Sequence, residues 1–319
     1  MPDFPIWPQC NIGCVFCSNP VEGYRETTEQ YSYEKLKQKL LEYKAGQPRF
    51  LKFDEVRDYF NLTGGEPTLH PEFLKVLALV RSEFPKNLIR LLTNGRLFAY
   101  EDFARRVFGV AQAPFEIAVP MFGHDAKTHE SISRAPGSFA QTTQGLRHIA
   151  AHRRPGQSVE IRIIMTRVQA RYLEGLLDYL ADEFPWVDRV VFLYQEIEGF
   201  AELYRDRLVM PMSEVAALLD AQDARLARFK EARLYHFSLC AVPTRQWPRV
   251  WNTLAGLKID HAPACGACVY RDQCVGVHKS YLRHAGAPDI KTIRRKRRDA
   301  SETGDRYHPF RTQGAPARA

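Results

Sequence analysis

Residues 10–17 read CNIGCVFC, three cysteines at C-x₃-C-x₂-C spacing close behind a short opening stretch that can serve as a first strand. Three thiolates so spaced wrap one corner of a cubic iron–sulfur cluster and leave one iron without a protein ligand. An open coordination position is where a substrate or cofactor binds. The competing reading is a zinc site that borrows a distant fourth ligand such as His70.

Beyond this cluster the chain alternates. Val/Ile-rich runs at 57–63, 87–93, 115–121, 158–166 and 187–194 predict strands, and stretches with apolar residues every three or four positions at 33–44, 71–84, 139–152 and 172–184 predict helices. Alternating β and α implies a parallel sheet flanked by helices, with six β/α units ending near residue 228. In such sheets sites gather at the carboxyl ends of strands. Cys10, Cys14 and Cys17 follow the first strand, TGGEPTLHP (63–71) the second, TNG (93–95) the third and FGHD (122–125) the fourth. No repeat of fixed period is present.

TGGEPTLHP is the second informative segment. Paired glycines let a backbone approach a ligand closely, and Glu66 offers an acceptor to an ammonium group. Together with C-x₃-C-x₂-C some fifty residues earlier, it resembles the radical S-adenosylmethionine (radical SAM) superfamily over residues 3 to 200. The resemblance implies a partial (β/α)₆ TIM-like barrel with a 4Fe-4S cluster on Cys10, Cys14 and Cys17. The amino and carboxylate groups of S-adenosylmethionine would chelate its open iron. Reductive cleavage would then give a 5′-deoxyadenosyl radical that abstracts a substrate hydrogen. It places Gly64, Gly65 and Glu66 at the methionine amino group, Phe16 near adenine, and Asn94 and Arg162 among the cofactor contacts. Arg162 is a plausible carboxylate partner, since guanidinium binds carboxylates bidentately. Pro120 stands where relatives often carry a ribose-binding hydroxyl. The electron would come from a reductant of ferredoxin or flavodoxin type.

Four further cysteines, Cys240, Cys265, Cys268 and Cys274, are spaced C-x₂₄-C-x₂-C-x₅-C in a region of weak periodicity at 229–289. Four thiolates close a metal site, for which zinc is the simplest occupant. Beside a radical SAM barrel, the same spacing resembles a twitch/SPASM-like domain, which implies an auxiliary 4Fe-4S cluster. Segments 117–149, 196–201, 235–248 and 265–276 resemble the smaller radical SAM maturase of the His-Xaa-Ser peptide system, over residues 8 to 283. That implies a ribosomally made peptide substrate modified by oxidation, cross-linking or epimerisation, with a partner maturase or recognition protein. That family usually has an N-terminal extension before its first cysteine. The alternatives are a twitch-type dehydrogenase or cyclase acting on a small molecule or nucleotide, and a non-catalytic metal-binding protein.

The bulk properties agree with this reading. A chain of 319 residues, 45% hydrophobic and 26% charged, is globular and of about two-domain size. No long apolar run spans a membrane and no secretory signal opens the chain, so a cytoplasmic protein is expected. Seven cysteines without secretory context argue against disulfides. Nine Lys/Arg against three Asp/Glu from residue 290 onward hold six of the eight net positive charges. Residues 290–319 therefore read as a solvated, disordered basic tail, and the rest offers no basic face for nucleic acid. Glu196, with Glu198 beside it, follows the sixth strand and is the one candidate for a substrate ligand or proton acceptor. Trp247 and Trp251 are spaced for packing, and Gly137 for a turn.

Overall fold

The computed structural model describes residues 3–19, 28–46 and 60–312. An eight-stranded sheet runs in simple order from β1 to β8: Asp3–Trp7, Phe60–Gly64, Ile89–Leu92, Phe115–Pro120, Gln157–Met165, Arg189–Tyr194, Ala232–Tyr235 and Val250–Trp251. The pairs β1/β2, β2/β3, β3/β4, β6/β7 and β7/β8 are parallel. The predicted parallel α/β class is the observed one. Residues 57–59 of the second predicted strand lie outside the described residues.

The chain divides into two compact units, residues 1–15, 19–161 and 186–188 in one, and 16–18, 162–185 and 189–319 in the other. The first holds α1 (Tyr33–Lys44), α2 (Phe73–Glu83), α3 (Glu101–Ala111), α4 (Ala126–Ser133) and α5 (Ser138–His152). α2 buries Phe73, Val76, Leu77 and Val80, the i, i+3, i+4, i+7 stripe of a helix lying on a sheet. β4 is buried at five successive residues, as a strand covered on both faces must be. On adjacent strands Arg90 Nε donates to Glu116 Oε1 at 2.5 Å, and Arg90 also pairs with Glu160 at 3.6 Å, all three essentially without solvent exposure.

The second unit shows the same logic in α6 (Leu173–Glu183), which buries Leu173, Leu176, Leu177 and Leu180. Here the sequence-based boundary near residue 228 needs correcting. β7 pairs with β6 through Val190↔Ala232 to Leu193↔Tyr235, and β8 extends the same ladder. Neither strand has a Val/Ile run. Arg233 lies inside β7, where its guanidinium sits 3.7 Å from the ring centroid of Trp251. A cation–π contact of this kind is invisible to a hydropathy pattern.

The basic tail is also different from expectation. Among the described residues 290–312, Ile290, Ile293 and Phe310 are buried. Phe310 packs 4.8 Å from the Trp247 ring and 5.7 Å from Tyr270. Val269 N donates to Ile293 O at 2.9 Å, Asn252 N to Tyr307 O at 2.8 Å, and His308 stacks on Trp251 at 4.2 Å. A few apolar anchors fix a polar stretch whose average composition reads as solvated. Residues 313–319 lie outside the described residues.

Candidate functional site

The loop after β1 carries Cys10, Cys14 and Cys17, all of intermediate exposure. Its course is set by backbone bonds. Gly13 N donates to Ser133 O at 2.8 Å and Val15 N to Ile132 O at 3.1 Å, tying it to the end of α4. Within the second unit Cys17 O accepts from Phe200 N at 2.8 Å. Phe16, beside Cys17, is buried.

Gly64 and Gly65 prove to be steric necessities. A Cβ on Gly65 would lie 2.4 Å from the carbonyl oxygens of Pro8 and Gln9, and one on Gly64, whose φ is +144°, 2.2 Å from Trp7 O. With no side chain there, Gly65 N reaches Trp7 O and Glu66 N reaches Gln9 O, both at 2.7 Å. The Gly-Gly-Glu turn thus grips the segment that delivers Cys10. Asn19 Nδ2 adds a bond to Gly64 O at 3.0 Å.

Glu66 is 1% exposed. Its Oε1 accepts from Thr68 N (3.1 Å), Thr68 Oγ1 (2.6 Å) and Thr93 Oγ1 (2.6 Å), and its Oε2 from Asn94 N (2.7 Å). Burial raises its pKa above the usual carboxylate value, against those hydrogen bonds. The carboxylate joins the ends of β2 and β3. Asn94 in turn donates from Nδ2 to Asn11 Oδ1 at 2.7 Å and lies 3.8 Å from Cys10 Sγ. Arg96 donates to Asn11 O and to Gln141 Oε1, and Thr142 Oγ1 to Asn94 O. Asn11, Thr93, Arg96 and Thr142 were not singled out from sequence. Asn11 and Thr93 lie inside CNIGC and TNG and Arg96 directly follows TNG, whereas Thr142, on α5, carries no such signal.

His70 is no spare ligand. Its Nε2 is 2.7 Å from Tyr31 O, and its Nδ1 accepts from Glu72 N at 2.9 Å. Both ring nitrogens are engaged, which removes the residue named for the zinc alternative.

In the second unit, Arg162 lies on β5 and His236 directly after β7. His236 has φ +70°, a strained conformation for a side chain of this size. Its Nδ1 is 3.3 Å from Tyr194 O, an acceptor, so that nitrogen carries the proton. Burial, together with the charge of Arg162, keeps the ring neutral, with a pKa of about 4. Glu196 is paired with Lys258 at 2.6 Å. Burial opposes its charge, but Lys258, through its charge and its hydrogen bond, outweighs burial and holds the carboxyl below its usual value.

Cys240, Cys265, Cys268 and Cys274 line a single hollow. Leu239 N and Gly276 N point at Cys274 Sγ at 3.4 and 3.5 Å, and Lys291 N at Cys240 Sγ at 3.3 Å. Burial pushes the Cys274 thiol up to about 12 and raises Cys240 and Cys265 as well. Backbone donors aimed at buried sulfurs suit thiolates bound to a metal centre. Ile290, Lys291 and Ile293 complete the wall, so the segment expected as a tail lines the site.

A parallel α/β sheet with three cysteines after its first strand, and a Gly-Gly-Glu turn gripping the segment that leads into Cys10, is the frame of a cofactor-bearing α/β protein. The radical SAM superfamily domain matches residues 4–180, and the chain belongs to that superfamily. Members use S-adenosylmethionine and a 4Fe-4S cluster, for which the three-thiol loop, with an amide donor beside Cys10, is a fitting donor set. Among curated proteins, the chain is 22% identical over 197 residues to the antilisterial bacteriocin subtilosin biosynthesis protein AlbA of Bacillus subtilis (strain 168), covering 62% of this chain and 39% of that protein. It is 28% identical over 148 residues to GTP 3′,8-cyclase of Edwardsiella ictaluri (strain 93-146), covering 43% of this chain and 38% of that protein. It therefore spans well under half the length of these relatives. Among solved structures, Streptococcus suis SuiB bound to S-adenosylmethionine superposes with TM-score 0.52 at 15% identity, over 73% of this chain and 49% of that one. Native anSMEcpe with bound AdoMet gives 0.52 at 17% identity, over 72% and 63%. At such identities the likeness is one of fold. No helix among the described residues is long and apolar enough to cross a membrane.

Proposed function

We propose that this chain is a radical SAM enzyme that modifies a ribosomally made peptide. The observation that carries it is the second set of four thiols converging on one hollow, in a chain related to a bacteriocin biosynthesis protein. When bound, S-adenosylmethionine on a reduced 4Fe-4S cluster supplies C–S cleavage and a hydrogen-abstracting 5′-deoxyadenosyl radical. Cys10, Cys14 and Cys17 hold that cluster. Gly64 and Gly65 fix the approach to Cys10, and Asn94 donates toward its sulfur. Glu66, occupied by Thr68, Thr93 and Asn94, acts on the cofactor through the groups it positions. Phe16 would meet the adenine and Arg162 would bind a carboxylate. Cys240, Cys265, Cys268 and Cys274 hold an auxiliary 4Fe-4S cluster. A ferredoxin- or flavodoxin-type reductant supplies the electron, and a partner maturase or recognition protein brings the peptide.

The likeness to GTP 3′,8-cyclase favours a second reading, a nucleotide or other small-molecule substrate. Anaerobic reconstitution followed by iron counting, and a 5′-deoxyadenosine assay with dithionite, tests the chemistry. About eight irons per chain are expected, falling to about four in Cys10→Ala/Cys14→Ala/Cys17→Ala, which makes no deoxyadenosine. Four irons and one zinc in an active wild type would make the second site structural. Deoxyadenosine formation stimulated by a short peptide encoded nearby, and not by GTP, decides between the substrates. No iron and no deoxyadenosine would refute the enzyme reading.

A further inference from the structure

Glu196 and Glu198 follow β6, and His278 caps the helix Lys279–Ala285. Their ligand atoms all lie within 4.8 Å of one another. His278 Nε2 is 3.7 Å from Glu196 Oε2 and 3.8 Å from Glu198 Oε1. The imidazole is 3% exposed, and its other nitrogen fixes it. Nδ1 lies 2.7 Å from Ser280 Oγ, which accepts the Ile197 N–H at 2.9 Å, and Nδ1 accepts from Ser280 N at 3.1 Å. Nε2 has no hydrogen-bond partner.

Neither neutral tautomer satisfies that nitrogen. With the proton on Nε2, the N–H faces oxygens too distant for a hydrogen bond. With the proton on Nδ1, the Ser280 N–H that points at it loses its acceptor and the Nε2 lone pair faces two carboxylates. A cation among them would satisfy all three at once.

We propose that Glu196, Glu198 and His278 form a mononuclear site for a divalent cation. Two carboxylates and an imidazole suit Mn²⁺, Fe²⁺ or Zn²⁺, and the absence of sulfur from the set disfavours soft ions. Ligand atoms about 2.1 Å from a metal stand roughly 3.0–3.4 Å apart, so the observed spacing closes by only a few tenths of an ångström on the imidazole side. Glu198, 44% exposed, has the freedom to close, and the remaining coordination positions are left to water or substrate. Ser280 orients the imidazole, through both its N–H and its hydroxyl at Nδ1. Lys258 Nζ, 2.6 Å from Glu196 Oε2, is the cation that neutralises the carboxylate when no metal is there, and so competes with it.

That competition gives the test its sign. Mn²⁺ is the probe because it binds thiolates poorly, and the protein is the full chain with both cysteine sets reconstituted. Loss of the free-Mn²⁺ electron paramagnetic resonance signal is titrated. One Mn²⁺ per chain is expected in wild type. Binding weakens at least about tenfold in Glu198→Gln and His278→Gln, and it tightens in Lys258→Met. Because Glu198 is half-exposed, its variant folds whether or not the site binds metal. An absence of bound Mn²⁺ in wild type, affinity unchanged in both Glu198→Gln and His278→Gln, or weaker binding in Lys258→Met would each overturn the proposal.

Discussion

Gly65→Ala tests whether the Gly-Gly-Glu turn acts by holding the cysteine loop. The new methyl would stand 2.4 Å from Pro8 O and Gln9 O and 2.6 Å from the Gln9 carbonyl carbon. These are backbone atoms and cannot rotate aside, so residues 7–9 must move. Movement breaks the bonds from Gly65 N to Trp7 O and from Glu66 N to Gln9 O. Overlap of this kind costs about 1–3 kcal/mol and each lost bond about 0.5–1.5. The sum, about 2–6 kcal/mol, lowers the midpoint of thermal unfolding on the order of 5–15 °C. The displaced segment runs straight into Cys10, so iron retention falls as well. Gly109→Ala is the matched control. Gly109 sits inside α3 with nothing within 4 Å of its added Cβ, and the helix gains up to about 1 kcal/mol. Circular dichroism of the apoprotein and iron per chain after reconstitution are the readouts. A Gly65→Ala protein as stable and as iron-loaded as wild type would refute the reasoning.

Three further outcomes follow from particular contacts. Arg90→Met leaves Glu116 and Glu160 buried without their cation and destabilises the apoprotein by about 3–5 kcal/mol, read from its unfolding midpoint. Phe310→Ala opens a cavity between Trp247 and Tyr270 at a cost of about 3–5 kcal/mol, whereas a solvated tail would show no change. Burial raises the folded pKa of Cys274 from 9.0 to about 12, so the folded apoprotein holds this proton over a window where the unfolded chain has lost it. Its contribution is therefore complete below pH about 9 and is lost as pH climbs toward 12, and Cys274→Ser removes that alkaline loss in unfolding scans taken across the range.

What the sequence made legible is what has a period or a spacing. β4 and α2 bury the residues their patterns predict, because a strand covered on both faces and a helix on a sheet each demand a fixed repeat. Both cysteine sets were readable because metal ligation needs several thiols close in sequence or space. β7 and β8 were not, since four- and two-residue strands carry no periodic signal and Arg233 is accommodated there by Trp251 rather than by an apolar neighbour. The fold of residues 290–312 escaped because three anchors among many charges leave the average composition polar. The roles of Asn11 and Arg96 were hidden because they act on backbone and amide groups far away in sequence.

The two cysteine sets share an electrostatic design that neither spacing reveals. At the first, the Asn94 amide, held by Asn11, faces the Cys10 sulfur. At the second, three backbone N–H groups from separate segments face Cys274 and Cys240. Such donors favour the thiolate, yet burial at Cys240, Cys265 and Cys274 favours the neutral thiol and prevails. A metal centre bound there would neutralise the sulfurs, and the N–H groups would then tune their basicity rather than oppose their burial. Lys291 N belongs to this balance, which explains why the basic segment is threaded past the hollow. With Ile290 and Ile293 it lines the hollow while supplying one of the three donors.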